Sequence, residues 1–157
     1  MKGFGENFNK KNHNGNTKKY PSKEKIIQKA LLLHSQGNIA EAKKYYQYCI
    51  EKKINDHRIF SNYSLILRNL GRFKEAELLM RKTIQIDPEN SIPYINLGNL
   101  LRDLGKFKEA ELLMRKTIQI DPKNPIAQIN LGNLLKDLGQ MKEAELSFLK
   151  AIQIDPK

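Results

Sequence analysis

One phrase occurs twice in this chain with a single change. It reads GRFKEAELLMRKTIQIDP over residues 71–88 and GKFKEAELLMRKTIQIDP over residues 105–122, with Arg72 against Lys106. A looser copy, GQMKEAELSFLKAIQIDP, fills residues 139–156, so Pro88, Pro122 and Pro156 stand 34 residues apart. A fixed period of this size means a repeat array, in which each copy is one supersecondary unit.

Within residues 105–122, Phe107, Ala110, Leu113, Met114, Thr117 and Ile118 fall on one stripe of a helix, and Lys106, Lys108, Glu111, Arg115 and Lys116 lie elsewhere on the wheel. Ahead of it Tyr94, Leu97, Gly98, Leu101 and Leu104 make a second stripe on a second helix, which Gly105 can end in the left-handed conformation. Each period is therefore a helical hairpin with helices roughly 20 Å long. One hairpin cannot bury its own stripe, so stacking on a neighbour must supply the core. The expected fold is all-α: an α-solenoid of four hairpins, at about 22–56, 57–90, 91–124 and 125–157, wound as a right-handed superhelix. Ser22, Asp56, Asn90 or Ser91, and Asn124 before Pro125 are the expected helix starts.

Residues 1–21 are rich in Asn, Lys and Gly and carry five Lys against one Glu. Such a segment lacks the apolar surface to offset its ordering entropy and is expected to be a disordered basic tail, dispensable for folding. No run of about 18 apolar residues marks a membrane span, and no leader pattern or myristoylation site opens the chain, so a cytoplasmic protein is expected. Cys49 is the only cysteine and occupies the small interhelical position held by Thr83, Thr117 and Ala151, which predicts a buried reduced thiol.

The pattern of an aromatic, Leu-Gly, a large residue, a turn Gly, Ala, an aromatic or Met, a small residue and Pro resembles the tetratricopeptide repeat. In the third period the matching residues are Tyr94, Leu97, Gly98, Leu101, Ala110, Met114, Thr117 and Pro122; in the fourth they are Gln128, Leu131, Gly132, Leu135, Ala144, Phe148, Ala151 and Pro156. The first period departs furthest, with Lys29 in place of Leu and Ile54 in place of Pro. The resemblance implies a non-catalytic scaffold that binds protein or extended peptide along a concave groove lined by the first helices.

On the side of those helices away from the Leu stripe lie Ile92, Asn96, Asn99 and Asp103 in the third period and Ile126, Asn130, Asn133 and Asp137 in the fourth. With Asn62 of the second period they form a ladder, one asparagine rung per repeat. A carboxamide both donates and accepts, so it can pair with the N–H and C=O of a passing peptide whatever its side chains. The NLGN run resembles the arrays that present substrates to O-linked N-acetylglucosamine transferases. That likeness implies a second possibility, a substrate-recognition arm for a glycosyl-, sulfo- or methyltransferase. The plain reading is a solvated surface with the family's common residue. Asp103 and Asp137 sit in the last helical turn, where a carboxylate opposes the dipole at about 0.3–1 kcal/mol. A basic ligand, the adjacent Arg102 or Lys136, or simple duplication would each account for them. The basic residues of a carboxylate clamp do not match, since Ile92 and Asn96 stand in their place.

Net charge is +11, but it falls from +4 in residues 1–21 to zero in residues 125–157, and many basic residues of the second helices have Glu four residues away. Nucleic acid is disfavoured as a partner for the array. His13, His34 and His57 lie in separate contexts, and neither a phosphate-cradling Gly loop nor metal-ligand spacing occurs, so no catalysis, cofactor or metal is expected. The last hairpin is followed by no capping helix. It is expected to expose the packing surface meant for a further repeat, with Leu135, Phe148 and Ile152 on it and Ile154 at its margin. Self-association, a docked partner or truncation from a longer array would each answer that exposure.

Overall fold

The computed structural model describes residues 21–156 and holds eight α-helices there. The disordered tail expected over residues 1–21 lies outside them, Pro21 excepted. The helices pair as α1 (Lys23–Ser35) with α2 (Ile39–Glu51), α3 (His57–Asn69) with α4 (Phe73–Ile86), α5 (Ser91–Asp103) with α6 (Phe107–Ile120), and α7 (Pro125–Asp137) with α8 (Met141–Ile154). Each hairpin stacks its first helix on the second helix before it, which makes a solenoid.

Local chemistry sets the helix ends. Ser22, Asp56, Asn90 and Asn124 are the N-caps of the four first helices, and their side chains accept from the N–H groups of Lys25, Arg58, Ile92 and Ile126. At the turn inside the third hairpin Gly105 has φ +72°, Lys106 N–H donates to Leu101 C=O at 2.8 Å, and Gly105 N–H donates to Arg102 C=O at 2.9 Å. This pair of bonds satisfies carbonyls that the ended helix leaves open. The first hairpin uses the same device again after α2, where other repeats have Asp-Pro. There Lys53 takes φ +53°, Ile54 N–H reaches Cys49 C=O at 2.9 Å, and the Ile54 side chain is buried. The missing proline is thus replaced by a second left-handed turn plus an apolar plug.

The core runs the length of the array along the seam between first and second helices. Ala42, Ala76, Ala110 and Ala144 let the two helices approach, and Tyr46, Met80 and Met114 fill the space beside them. Tyr46 joins the first two hairpins: its hydroxyl lies 2.9 Å from His34 Nδ1 and its ring 5.8 Å from that of Tyr63. Burial pushes the Tyr46 hydroxyl up to about 12 and the Cys49 thiol up to about 11. Cys49 is therefore an inert core residue.

Two features differ from the sequence-based stripe. Leu104 is the C-cap of α5 and lies 38% exposed. A second buried stripe is present on the first helices: Ile59 and Ile66 in α3, Pro93 and Leu100 in α5, Ala127 and Leu134 in α7. A first helix is covered on two sides, by its own partner and by the preceding hairpin, so its apolar arc is wider than one stripe.

Candidate functional site

First helices touch one another across repeats, α1 against α3 and α5 against α7, whereas the second helices, as far as they are described, stand further apart. The array therefore curves with its first helices on the inner side. Residues left over on these helices, after the two buried stripes are taken out, make up the concave face.

Asn62, Asn96, Asn99, Asn130 and Asn133 are all half-buried there, and Ile92 and Ile126 are more than half exposed. Asn62 donates from Nδ2 to Arg58 C=O at 2.8 Å, one turn back on its own helix. At 100° per residue Asn99 leans toward the following first helix and Asn130 toward the preceding one. Asn99 Oδ1 and Asn130 Nδ2 are buried with no hydrogen-bond partner, one an acceptor and one a donor. A buried polar atom left this way is uncommon and costs of the order of 1–3 kcal/mol.

The acidic residues at the edge of this face are partnered within the chain. Asp103 receives Arg68 Nη2 at 2.5 Å, and Asp137 receives Arg102 Nε at 3.1 Å, each from the preceding repeat. The sequence reading set Asp103 beside Arg102 and missed Arg68. The signal was present as an Arg-to-Asp step of 35 residues that occurs twice. At the other end Arg58 bonds both Asp56 and Glu24. Glu24 is held below the usual carboxylate range by its hydrogen bond from Arg58. For Asp56 burial pulls upward, but the side-chain and backbone bonds from Arg58 win and hold it low. Arg58 occupies the position of Ile92 and Ile126, so the groove changes from charged to apolar along its length.

The expected C-terminal surface needs correction. Leu135 is 1% exposed, because it packs inside the last hairpin rather than on its outer side. Phe148 is half-buried and points inward over Gly132, where an added Cβ would lie 2.7 Å from its ring. Ile152 is exposed as expected, joined by Met141, Leu149 and Ile129. Leu149 replaces the Arg81 and Arg115 of α4 and α6, which pair with Glu109 and Glu143 of the next hairpin. Among the described residues no helix is long and apolar enough to cross a membrane, and no group of His, Cys, Asp and Glu could hold a metal.

Comparison with known proteins agrees with this architecture. Among solved structures, a crystal structure of MamA superposes with a TM-score of 0.78 at 17% identity, covering 85% of this chain and 78% of that one. A second MamA crystal structure gives 0.77 at 18% identity, over 85% and 73% of the two chains. PilF of Pseudomonas aeruginosa gives 0.73 at 20% identity, over 85% and 61%. Likeness at such identities carries the fold alone. No curated protein matches in sequence. Family models described as tetratricopeptide repeat match residues 26–51, 57–90, 79–111 and 101–157. With models covering most of the chain and a helical-hairpin solenoid beneath them, the protein belongs to the tetratricopeptide-repeat family.

Proposed function

We propose that this protein is a non-catalytic interaction scaffold whose concave face holds an extended polypeptide by its main chain. The observation that carries this reading is the row of half-buried asparagines, Asn62, Asn96, Asn99, Asn130 and Asn133, along the inner side of the first helices. A peptide unit offers the complementary donor and acceptor. Five such rungs at a net 0.5–1.5 kcal/mol each stand against an association cost of about 4 kcal/mol or more. Affinity from these rungs alone is then about millimolar or weaker. Asp103 and Asp137 serve this groove indirectly, by locking successive first helices together through Arg68 and Arg102. Alanine at Asn62, Asn96 and Asn130 together is expected to abolish binding of an unstructured peptide while the thermal midpoint stays nearly unchanged. Calorimetric titration checks it, and unaltered affinity in the triple variant removes the asparagine row from the site.

The outer face of α8 favours a second copy of the chain as a further partner. Its exposed Met141, Leu149 and Ile152 form a stripe that is more apolar than the matching stripe of α6, where Arg115 stands at the Leu149 position. Sedimentation of the wild type is expected to show concentration-dependent association that Ile152→Lys abolishes. A monomer at every concentration in both proteins would exclude this contact.

A further inference from the structure

The outer, convex side carries a second periodic surface that the groove reading does not use. On α6, Lys108, Leu112 and Lys116 follow one another at four-residue steps, all exposed, with Leu112 at 69%. α4 and α8 repeat the arrangement around Leu78 at 55% and Leu146 at 58%. Side chains four apart share one helix face, so each second helix presents an apolar residue between two cations.

Two observations set this surface apart from ordinary solvated helix. First, none of its six lysines makes an ion pair with a described residue; Lys82 alone has a charged contact, over the Phe60 ring at 5.9 Å. The glutamate that follows the first lysine of each row is already taken, Glu75 by Arg72, Glu109 by Arg81 and Glu143 by Arg115. Second, α8 differs from α6 at several positions, including the core residues Ser147, Phe148 and Ala151. It nevertheless keeps Lys142, the exposed Leu146 and Lys150.

The leucines also edge two grooves between successive second helices. One, of about 390 Å³, has Ile118, Leu131 and Leu135 behind Leu146, with Lys150 at its lip. The other, of about 280 Å³, has Ile50, Tyr63 and Leu67 behind Leu78, with Lys82 at its lip. Glu143 also lines the first groove and Glu51 and Glu75 the second, so each joins apolar floor residues to side chains of both charges, and the lysine at the rim is the group that can meet a carboxylate flanking an inserted apolar side chain.

We infer that the convex face docks an acidic amphipathic segment of a protein partner, whose apolar side chains enter the inter-helix grooves and whose carboxylates meet the lysine rows. Grooves with apolar floors favour this occupant over nucleic acid, which would use the lysines and leave the leucines in water. They also favour it over a flat anionic bilayer, which cannot follow a recess between helices. The inference stands independently of the concave groove.

The test uses the full chain and three probes: a labelled helical peptide with one leucine stripe and glutamates elsewhere, its scrambled form, and phosphatidylserine vesicles. The striped peptide is expected to bind more tightly than the scramble. Lys82→Gln, Lys116→Gln and Lys150→Gln together are expected to weaken it roughly tenfold, as three solvent-exposed pairs of modest strength would. Leu78→Ser, Leu112→Ser and Leu146→Ser together should cost at least as much, with the helical fold retained, as circular dichroism reads, because all six sites are exposed. Alanine at Asn62, Asn96 and Asn130 should leave this binding intact. Equal binding of striped and scrambled peptides, or affinity insensitive to both sets of substitutions, overturns the proposal. Vesicle binding that needs the same leucines and lysines, without peptide binding, overturns it in favour of a lipid surface.

Discussion

Leu100→Ala and Leu134→Ala are each expected to lower the free energy of unfolding by about 2–5 kcal/mol, the range for emptying a fully buried leucine site. Both side chains are 0% exposed and lie on the stripe where a first helix meets the preceding hairpin. Removing their methyl groups leaves a gap between two units whose backbones are fixed by their own hairpins, so the site can collapse only in part. In a linear array stability is approximately the sum of unit and interface terms, and Leu100 contributes to an interior interface. The same change at Leu112, which is 69% exposed, is expected to stay within about 0.5 kcal/mol. Urea titrations of the three variants distinguish these outcomes. A loss at Leu100 no larger than at Leu112 would mean that the hairpins are not packed through this stripe.

The second large effect is a contrast between two equivalent glycines. Gly98 and Gly132 are interior helix residues, and alanine at such a site gains up to about 1 kcal/mol from helix propensity. At Gly98 the new Cβ meets Met114 Cγ at 3.3 Å. Methionine is unbranched and yields, so Gly98→Ala is expected to be near neutral. At Gly132 the new Cβ would sit 2.7 Å from the Phe148 ring, closer than such contacts occur. The ring is rigid and must swing outward, opening the α7–α8 seam, and Gly132→Ala is expected to cost about 1–3 kcal/mol. Adding Phe148→Met recreates the pairing of the third repeat and should recover most of that loss, a coupling that a double-mutant cycle reads directly. Additive effects in that cycle would show that Phe148 does not bear on Gly132.

The period and its punctuation made the fold legible. Glycine before each second helix, Asn or Asp before the later first helices, and proline after three of the second helices mark the helix ends, because each residue type meets a backbone need that few others meet. What could not be read arises from stacking. A wheel drawn for one core puts Leu97 and Leu101 inward but gives no place to Leu100, whose partner belongs to another repeat. Leu135 holds the position of Leu101 and is consumed by its own hairpin in the same way, so its expected place on the terminal surface did not follow from that wheel. Asp103 and Asp137 looked unfavourable in their helices, and their partners Arg68 and Arg102 come from one repeat earlier. Lys53 gave no warning of its positive φ, since a left-handed lysine is chosen by the turn and by the burial of Ile54 rather than by its own preference.

Recognition of main chain rather than side chains is what the proposed use of the concave groove requires, and one titration addresses it. An unstructured peptide, its scrambled sequence and the same peptide N-methylated at alternate residues are compared for binding to the wild-type chain. The scramble is expected to bind as the parent does, at about millimolar or weaker affinity, because the asparagine carboxamides would meet only N–H and C=O groups. The N-methylated peptide is expected not to bind, since half of its donors are gone. Undiminished binding of the methylated peptide, loss of binding on scrambling, or no binding of either unmodified peptide would contradict main-chain recognition by Asn62, Asn96, Asn99, Asn130 and Asn133.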